Sequence, residues 1–369
     1  MNRKSFKGYT RGIGLGGWLT NYKRIGQLPE DRRMLLTVGD FEHFENYITE
    51  WDVENIASLG VDHVRLCFDQ IVLEEYENPY HYRDCTFRHI DNFLSWAEKY
   101  HLNVILNLHK AVGCYCDCAR QVSLFGTPEL EDRFIALWLE FERRYHDKGD
   151  EIVFELMNEV QDTESDRWNS LYKRTVAAIR TVNPTRKIMV GSARWNSACM
   201  LPQLEVLDDD PNVVYTFHFY DPFEFTHQRG VLQPPNHFYN RDMPYPCEIG
   251  RYRDFMETVH GIKNSYPEYT EMGKDFLRDA LKPAKDFVLA HPDAVLTCGE
   301  FGTIRSCPTE WRENWFADVI EFLDENGIPF TIWNYLSTPY DGNRFSLVDD
   351  DRRQILSERL ARIIRGETD

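Results

Sequence analysis

Short apolar runs alternate with longer amphipathic stretches along nearly the whole chain, and this alternation restricts the fold more than any other feature. The runs are RGIGLGGWL (11–19), VDHVRLCF (61–68), LNVILNLH (102–109), EIVFELMNE (151–159), RKIMVGS (186–192), NVVYTFHFY (212–220), AVLTCGE (294–300) and IPFTIWNY (328–335). Each is rich in Val, Ile, Leu or Phe and short enough for a parallel strand buried on both faces. The stretches between them carry helix start signals. Thr127-Pro128-Glu129 offers an N-cap, a proline at the first helical position and an acid in the first turn. Leu130, Phe134, Leu137, Phe141 and Tyr145 then recur at helical spacing. Ser165-Asp166 and Pro308-Thr309-Glu310 open two more helices, and Asn183-Pro184 and Gly327 mark helix ends.

Strand and helix in alternation predict an α/β fold, a (β/α)8 barrel that uses residues 1–369 as a single domain. The rival is an open doubly wound sheet, which calls for a phosphate-binding glycine turn after an early strand. The glycines of Gly12-Ile13-Gly14-Leu15-Gly16-Gly17 lack that spacing, and no helical pattern follows them. Two segments are long, 69–85 after the second strand and 221–270 after the sixth, and the second holds Pro222, Pro234, Pro235, Pro244 and Pro246. In a barrel both lie on the C-terminal face, where a long loop reads as a binding loop or lid.

Charge narrows the partners. The 42 basic residues against 60 acidic ones leave a net charge of −18. That excludes an electrostatic grip on nucleic acid or on an anionic membrane surface. No run of about 18 apolar residues predicts a membrane span. The opening residues MNRKSFKGYTRG hold no signal-peptide core, and nine cysteines is an odd number. Both point to reduced thiols and a cytoplasmic location.

On a barrel, chemistry stands just past the C-terminal strand ends. There the sequence places Arg65, His109, Asn158-Glu159, His218 with Tyr220, Glu300, and Trp333. Two carboxylates at the ends of apolar strands need polar partners, because an unpaired buried charge is costly. Two carboxylates in unlike environments are what glycoside hydrolysis uses. Trp18, Trp195 and Phe223 lie near strand ends one, five and six, where aromatic faces can stack on sugars. Cys114, Cys116 and Cys118 follow His109, but their alternate spacing is not that of a zinc site. The run Asp208-Asp209-Asp210 before Pro211 reads as a solvated turn.

This ordered set resembles glycoside hydrolase family 5, the cellulase-type retaining glycosidases. The family pattern is Arg after strand two, His after strand three, Asn-Glu after strand four, His-x-Tyr on strand six, Glu on strand seven and Trp on strand eight. Here these are Arg65, His109, Asn158, Glu159, His218, Tyr220, Glu300 and Trp333. The chain departs from the family at Arg-Leu-Cys-Phe (65–68) where Arg-Leu-Pro is frequent, at Asn-Leu-His (107–109) where Asp-Leu-His is common, and at Val160 where proline follows Asn-Glu. None of these removes a catalytic group.

The resemblance implies Glu300 as nucleophile and Glu159 as general acid and base. Arg65 and Tyr220 would hold Glu300 ionised. Asn158 would donate to the sugar 2-hydroxyl, His218 would sit beside Glu159, His109 would reach sugar hydroxyls, and Trp333 would lie under the ring. Trp18 and Trp195 complete the expected substrate-binding set. No metal or cofactor is called for. The implied substrate is a short β-linked gluco- or manno-oligosaccharide; the long loops are expected to close the cleft into a pocket and give exo-action, with an endo-acting glucanase or mannanase with an open cleft as the alternative. A metal-dependent barrel hydrolase would carry His-x-His on strand one, and 11–19 has no His. A sugar-binding barrel without catalysis would not need both carboxylates.

Overall fold

The computed structural model describes residues 6–20, 35–115, 122–162, 165–231, 233–338 and 341–367. Eight parallel strands close into a barrel: β1 (Arg11–Leu19), β2 (His63–Asp69), β3 (Asn103–Lys110), β4 (Ile152–Glu155), β5 (Lys187–Gly191), β6 (Val213–Phe219), β7 (Val295–Phe301) and β8 (Phe330–Ile332). Each pairs with its neighbours in sequence, and β8 returns to β1. The strands are buried on both faces because helices cover the outside while side chains fill the inside. The helix Pro128–Tyr145 starts where Thr127-Pro128 predicts and turns Phe134, Leu137, Trp138 and Phe141 inward.

The register sorts the interior into layers. Ile105 pairs with Val153 and Met189 with Val214, and these four form one buried cluster with Phe6 and Tyr9, an apolar floor. Tyr9 stacks on Phe6 at 4.4 Å and its hydroxyl donates to the Asp150 carbonyl. One layer nearer the mouth, the register pairs Cys67 with Asn107 and Asn107 with Glu155. There the interior becomes polar.

The segment 221–270 is not an open loop. It forms the helices Phe223–Thr226, Pro234–Tyr239 and Gly250–His260, and a ribbon pairs Cys247–Glu248 with Glu271–Met272. It is bolted to the barrel: Trp315 Nε1 donates to the Asp221 carbonyl at 3.0 Å, and the Tyr245 hydroxyl donates to Asp318 at 2.8 Å. Segment 69–85 is also fixed, with buried Glu74 accepting from Arg133, Gln70 and the Tyr80 amide.

Candidate active site

Strand β4 stops at Glu155, short of the apolar run, yet the chain keeps its place between its neighbours. The Leu156 amide donates to Met189 on the β5 side and the Asn158 amide to Leu108 on the β3 side. Glu159 then takes φ of 42°, a left-handed value costly for a residue with a Cβ, and its side chain is 22% exposed. The neighbouring turn after β5 repeats this strain. Arg194, Trp195 and Asn196 are all left-handed, with φ between 48° and 58°, and the Trp195 amide donates to the Val160 carbonyl. Gly191 permits the turn, since a Cβ there would meet the Asn196 side chain at 2.4 Å.

Glu300 is almost fully buried and both of its oxygens accept. Arg65 donates to Oε2 at 2.8 Å and the Tyr220 hydroxyl donates to Oε1 at 2.7 Å. Burial pushes the Glu300 carboxyl pKa up; His218, Arg65 and the Tyr220 hydroxyl pull it down without overcoming burial, and Glu159 adds to the rise. The expectation that Arg65 and Tyr220 hold this carboxyl ionised is right in sign for each contact, but desolvation is the larger effect. Burial and the facing carboxylate push the Tyr220 phenol up, so it stays a donor.

Arg65 has no exposure at all. Its Nε and Nη2 form a fork on Glu155 at 2.6 and 2.9 Å, and Nη2 also donates to Asn158 Oδ1 at 2.7 Å. Burial opposes its charge, yet Glu155 foremost among its partners lifts its pKa above the ordinary value.

His218 lies between the two site carboxylates, its Nδ1 3.3 Å from Glu159 and 3.9 Å from Glu300. The Asn196 amide nitrogen approaches Nε2 at 3.3 Å, which assigns the ring proton to Nδ1, facing Glu159. Burial pushes the His218 imidazole down to about 4, so it is a neutral donor. His109 lies parallel to Trp333 at 5.5 Å, and burial, with Lys110, lowers its pKa strongly. Gly14 leaves room for the indole, because a Cβ there would touch it at 2.9 Å.

The structure thus brings Arg65, Asn158, Glu159, His218, Tyr220 and Glu300 together, with His109 and Trp333 stacked at the same mouth. Trp195 is 39% exposed on the turn beside Glu159, and Phe223 lies stacked on His227 at 3.8 Å. Trp18 does not belong to this set. Its indole donates to the Phe44 carbonyl at 2.7 Å and packs against Phe93 and His89, so it is core. Cys114 is buried, while Cys116 and Cys118 lie outside the described residues. Glu155 is the residue that sequence reasoning missed; an acid inside the apolar run IVFELM was the available signal.

Donor atoms of Glu159, His218 and Glu300 lie within 4.8 Å of one another, a spacing that a cation could use. The chemistry of the set fits protons better. The Arg65 guanidinium already supplies the positive charge at Glu300, and the His218 N–H points into the gap.

The cellulase (glycosyl hydrolase family 5) model matches residues 35–338. The chain belongs to glycosyl hydrolase family 5. It is 36% identical over 368 residues to Endoglucanase C of Acetivibrio thermocellus, covering 98% of this chain and 99% of that protein. It is 31% identical to Cellodextrinase A of Ruminococcus flavefaciens, over 87% of this chain and 84% of the relative. The endoglucanase Cel5A of Thermotoga maritima superposes with a TM-score of 0.74 at 22% identity, over 98% of this chain and all of that one. This family-5 enzyme is therefore a (β/α)8 barrel that hydrolyses O-glycosyl bonds. Among the described residues no helix is long and apolar enough to cross a membrane.

Proposed function

We propose that this family-5 enzyme is an endo-acting, retaining β-1,4-glucan hydrolase with Glu300 as nucleophile and Glu159 as acid and base. The observation that carries the reading is the carboxylate pair. The ligand oxygens of Glu159 and Glu300 lie within 4.8 Å, near the ~5–5.5 Å of retaining pairs and short of the ~6.5–9.5 Å that admits an inverting water. The environments differ as the roles require. Glu300 is held at both oxygens by donors, leaving it an acceptor aimed at the anomeric carbon. Glu159 is more exposed and lies at the leaving-group side beside the His218 N–H.

In the first step Glu300 attacks the anomeric carbon while Glu159 passes its proton to the departing glycosidic oxygen. In the second, Glu159 takes a proton from water, which displaces Glu300. Asn158, with Oδ1 fixed by Arg65, presents its amide nitrogen to the sugar 2-hydroxyl. His109 and Trp333 form the floor under the ring, and Trp195 flanks the cleft.

Endo-action replaces the exo-action that the two long segments suggested. The described residues of segment 221–270 fold into helices tied to the barrel through Tyr245 and Asp221, which favours a fixed cleft wall over a closing lid. The endoglucanase names of the full-length relatives support the same choice. The test is product sizing from a soluble β-1,4-glucan, with a β-1,4-mannan in parallel, combined with NMR of the first anomer released. Expected are mid-chain oligosaccharides from the glucan, the β-anomer first, and turnover lost in both Glu300→Gln and Glu159→Gln. Single sugars released from the outset refute endo-action, and an α-anomer refutes retention.

A further inference from the structure

The proposed mechanism uses one face of Arg65 and leaves the other unexplained. All five N–H donors of this guanidinium have acceptors. Nε and one Nη2 hydrogen go to Glu155, the second Nη2 hydrogen to Asn158, one Nη1 hydrogen to Glu300 and the other toward Cys67 Sγ at 3.7 Å. The cysteine of Arg-Leu-Cys thus serves as the fifth acceptor. A hydrogen-bond acceptor on that side of Arg65 need not be charged, yet the chain places a fully buried carboxylate there. Burying an extra charge is costly unless it is matched, so its sign needs a reason.

We propose that Glu155 is a positioning residue that cancels the Arg65 charge, so that Glu300 meets the transition state as a full anion on a fixed donor. The inference rests on the nucleophile assignment above. The count is simple. Arg65 with Glu300 alone is neutral, and Glu155 makes the group of three carry one net negative charge. The transition state is oxocarbenium-like, so it gains from a negative group at the anomeric centre. A lone Arg65 would instead draw the Glu300 charge to itself and weaken the attack. Glu155 touches neither sugar nor reacting atom; it acts through Arg65.

The test compares Glu155→Gln and Glu155→Asp with the parent enzyme on aryl β-cellobiosides of graded leaving-group ability, with Glu300→Gln as reference. Glutamine keeps the size and removes the charge. Expected for it are kcat lower by about 30-fold on the poorest leaving group, KM within threefold, and a smaller loss on the best leaving group. The acid limb of kcat/KM, which reports the group that must be ionised, should move down by about one pH unit. Aspartate keeps the charge but shortens the reach, and should give an acid limb between the two with an intermediate kcat.

A rate loss with the acid limb unmoved makes Glu155 a merely structural prop and overturns the proposal, as does unchanged kcat. If Glu155→Gln does not fold, the aspartate variant decides: a lowered limb with KM held supports the proposal, an unmoved limb overturns it. Full turnover in Glu300→Gln would instead sink the nucleophile assignment itself, and that failure is seen before either Glu155 variant is read.

Discussion

His227 supplies a sharp test of how burial governs this site's pH range. Its ring stacks on Phe223 at 3.8 Å, lies 5.1 Å from the Tyr220 ring and 5.0 Å from Phe345, and is almost fully buried. Burial alone pushes its pKa down to about 3. The unfolded chain binds that proton near pH 6.5, so between the two values the unfolded state holds more protons and stability falls as pH falls. At pH 7 the effect is about 0.2 kcal/mol. At pH 5 the unfolded imidazole is about 1.5 units below its pKa, and at ~1.36 kcal/mol per unit the folded state loses about 2 kcal/mol. This figure depends on the unfolded value, since any folded pKa below about 4 gives the same result. His227→Phe keeps a ring in the stack and removes the proton site. The assay is denaturant unfolding of both proteins at pH 7 and pH 5. The stability drop between those pH values should be about 2 kcal/mol smaller in the variant. Equal drops in the two proteins would refute the reasoning, because the imidazole would then titrate alike folded and unfolded.

Three further outcomes follow from the same geometry. Tyr220→Phe removes a hydroxyl bonded to a buried carboxylate at 2.7 Å; it should lower kcat/KM by about 10- to 100-fold and, with a Glu300 oxygen left unpaired, cost ~1–3 kcal/mol in a melt. Glu142 is buried against Arg186 at 2.8 Å, far from the mouth, so Glu142→Ala should cost about 3–5 kcal/mol in a melt and leave kcat at low temperature unchanged. Trp18→Ala should cost about 3–5 kcal/mol of stability, whereas Trp195→Ala should raise KM for a long glucan by up to about tenfold and leave stability within ~0.5 kcal/mol.

The eight apolar runs locate all eight strands, because a strand covered on both faces must be apolar throughout. The same property hides which face a residue takes. Trp18 and Glu155 both lie in such runs, and neither hydropathy nor position says that one turns to the helices and the other into the barrel. The set of polar residues gathered at the mouth was legible because strand ends are where an apolar pattern gives way to Asn, Glu, His and Tyr. The end of β4 was not, since the run continues to Glu159 while the ladder stops at Glu155 and the backbone turns left-handed. Segment 221–270 reads as a loop from its prolines. Its helices are short and its contacts, such as Tyr245 with Asp318, are remote in sequence.

The insertion between β6 and β7 has a consequence for how the enzyme can change. Tyr220 and Glu300 are 80 residues apart in sequence and meet across one seam of the barrel. Closing that seam requires the whole insertion to come round, but loop entropy grows slowly, at only ~0.6 kcal/mol for each doubling of length. Glu300 and the Tyr220 hydroxyl that donates to it are thus joined by a long connection whose further growth carries little closure entropy. New cleft walls can be added in its exposed turns at small entropic cost while the β6–β7 ladder keeps Tyr220 and Glu300 in place, provided that Phe225, Tyr245, Tyr252 and Phe255 stay in the core.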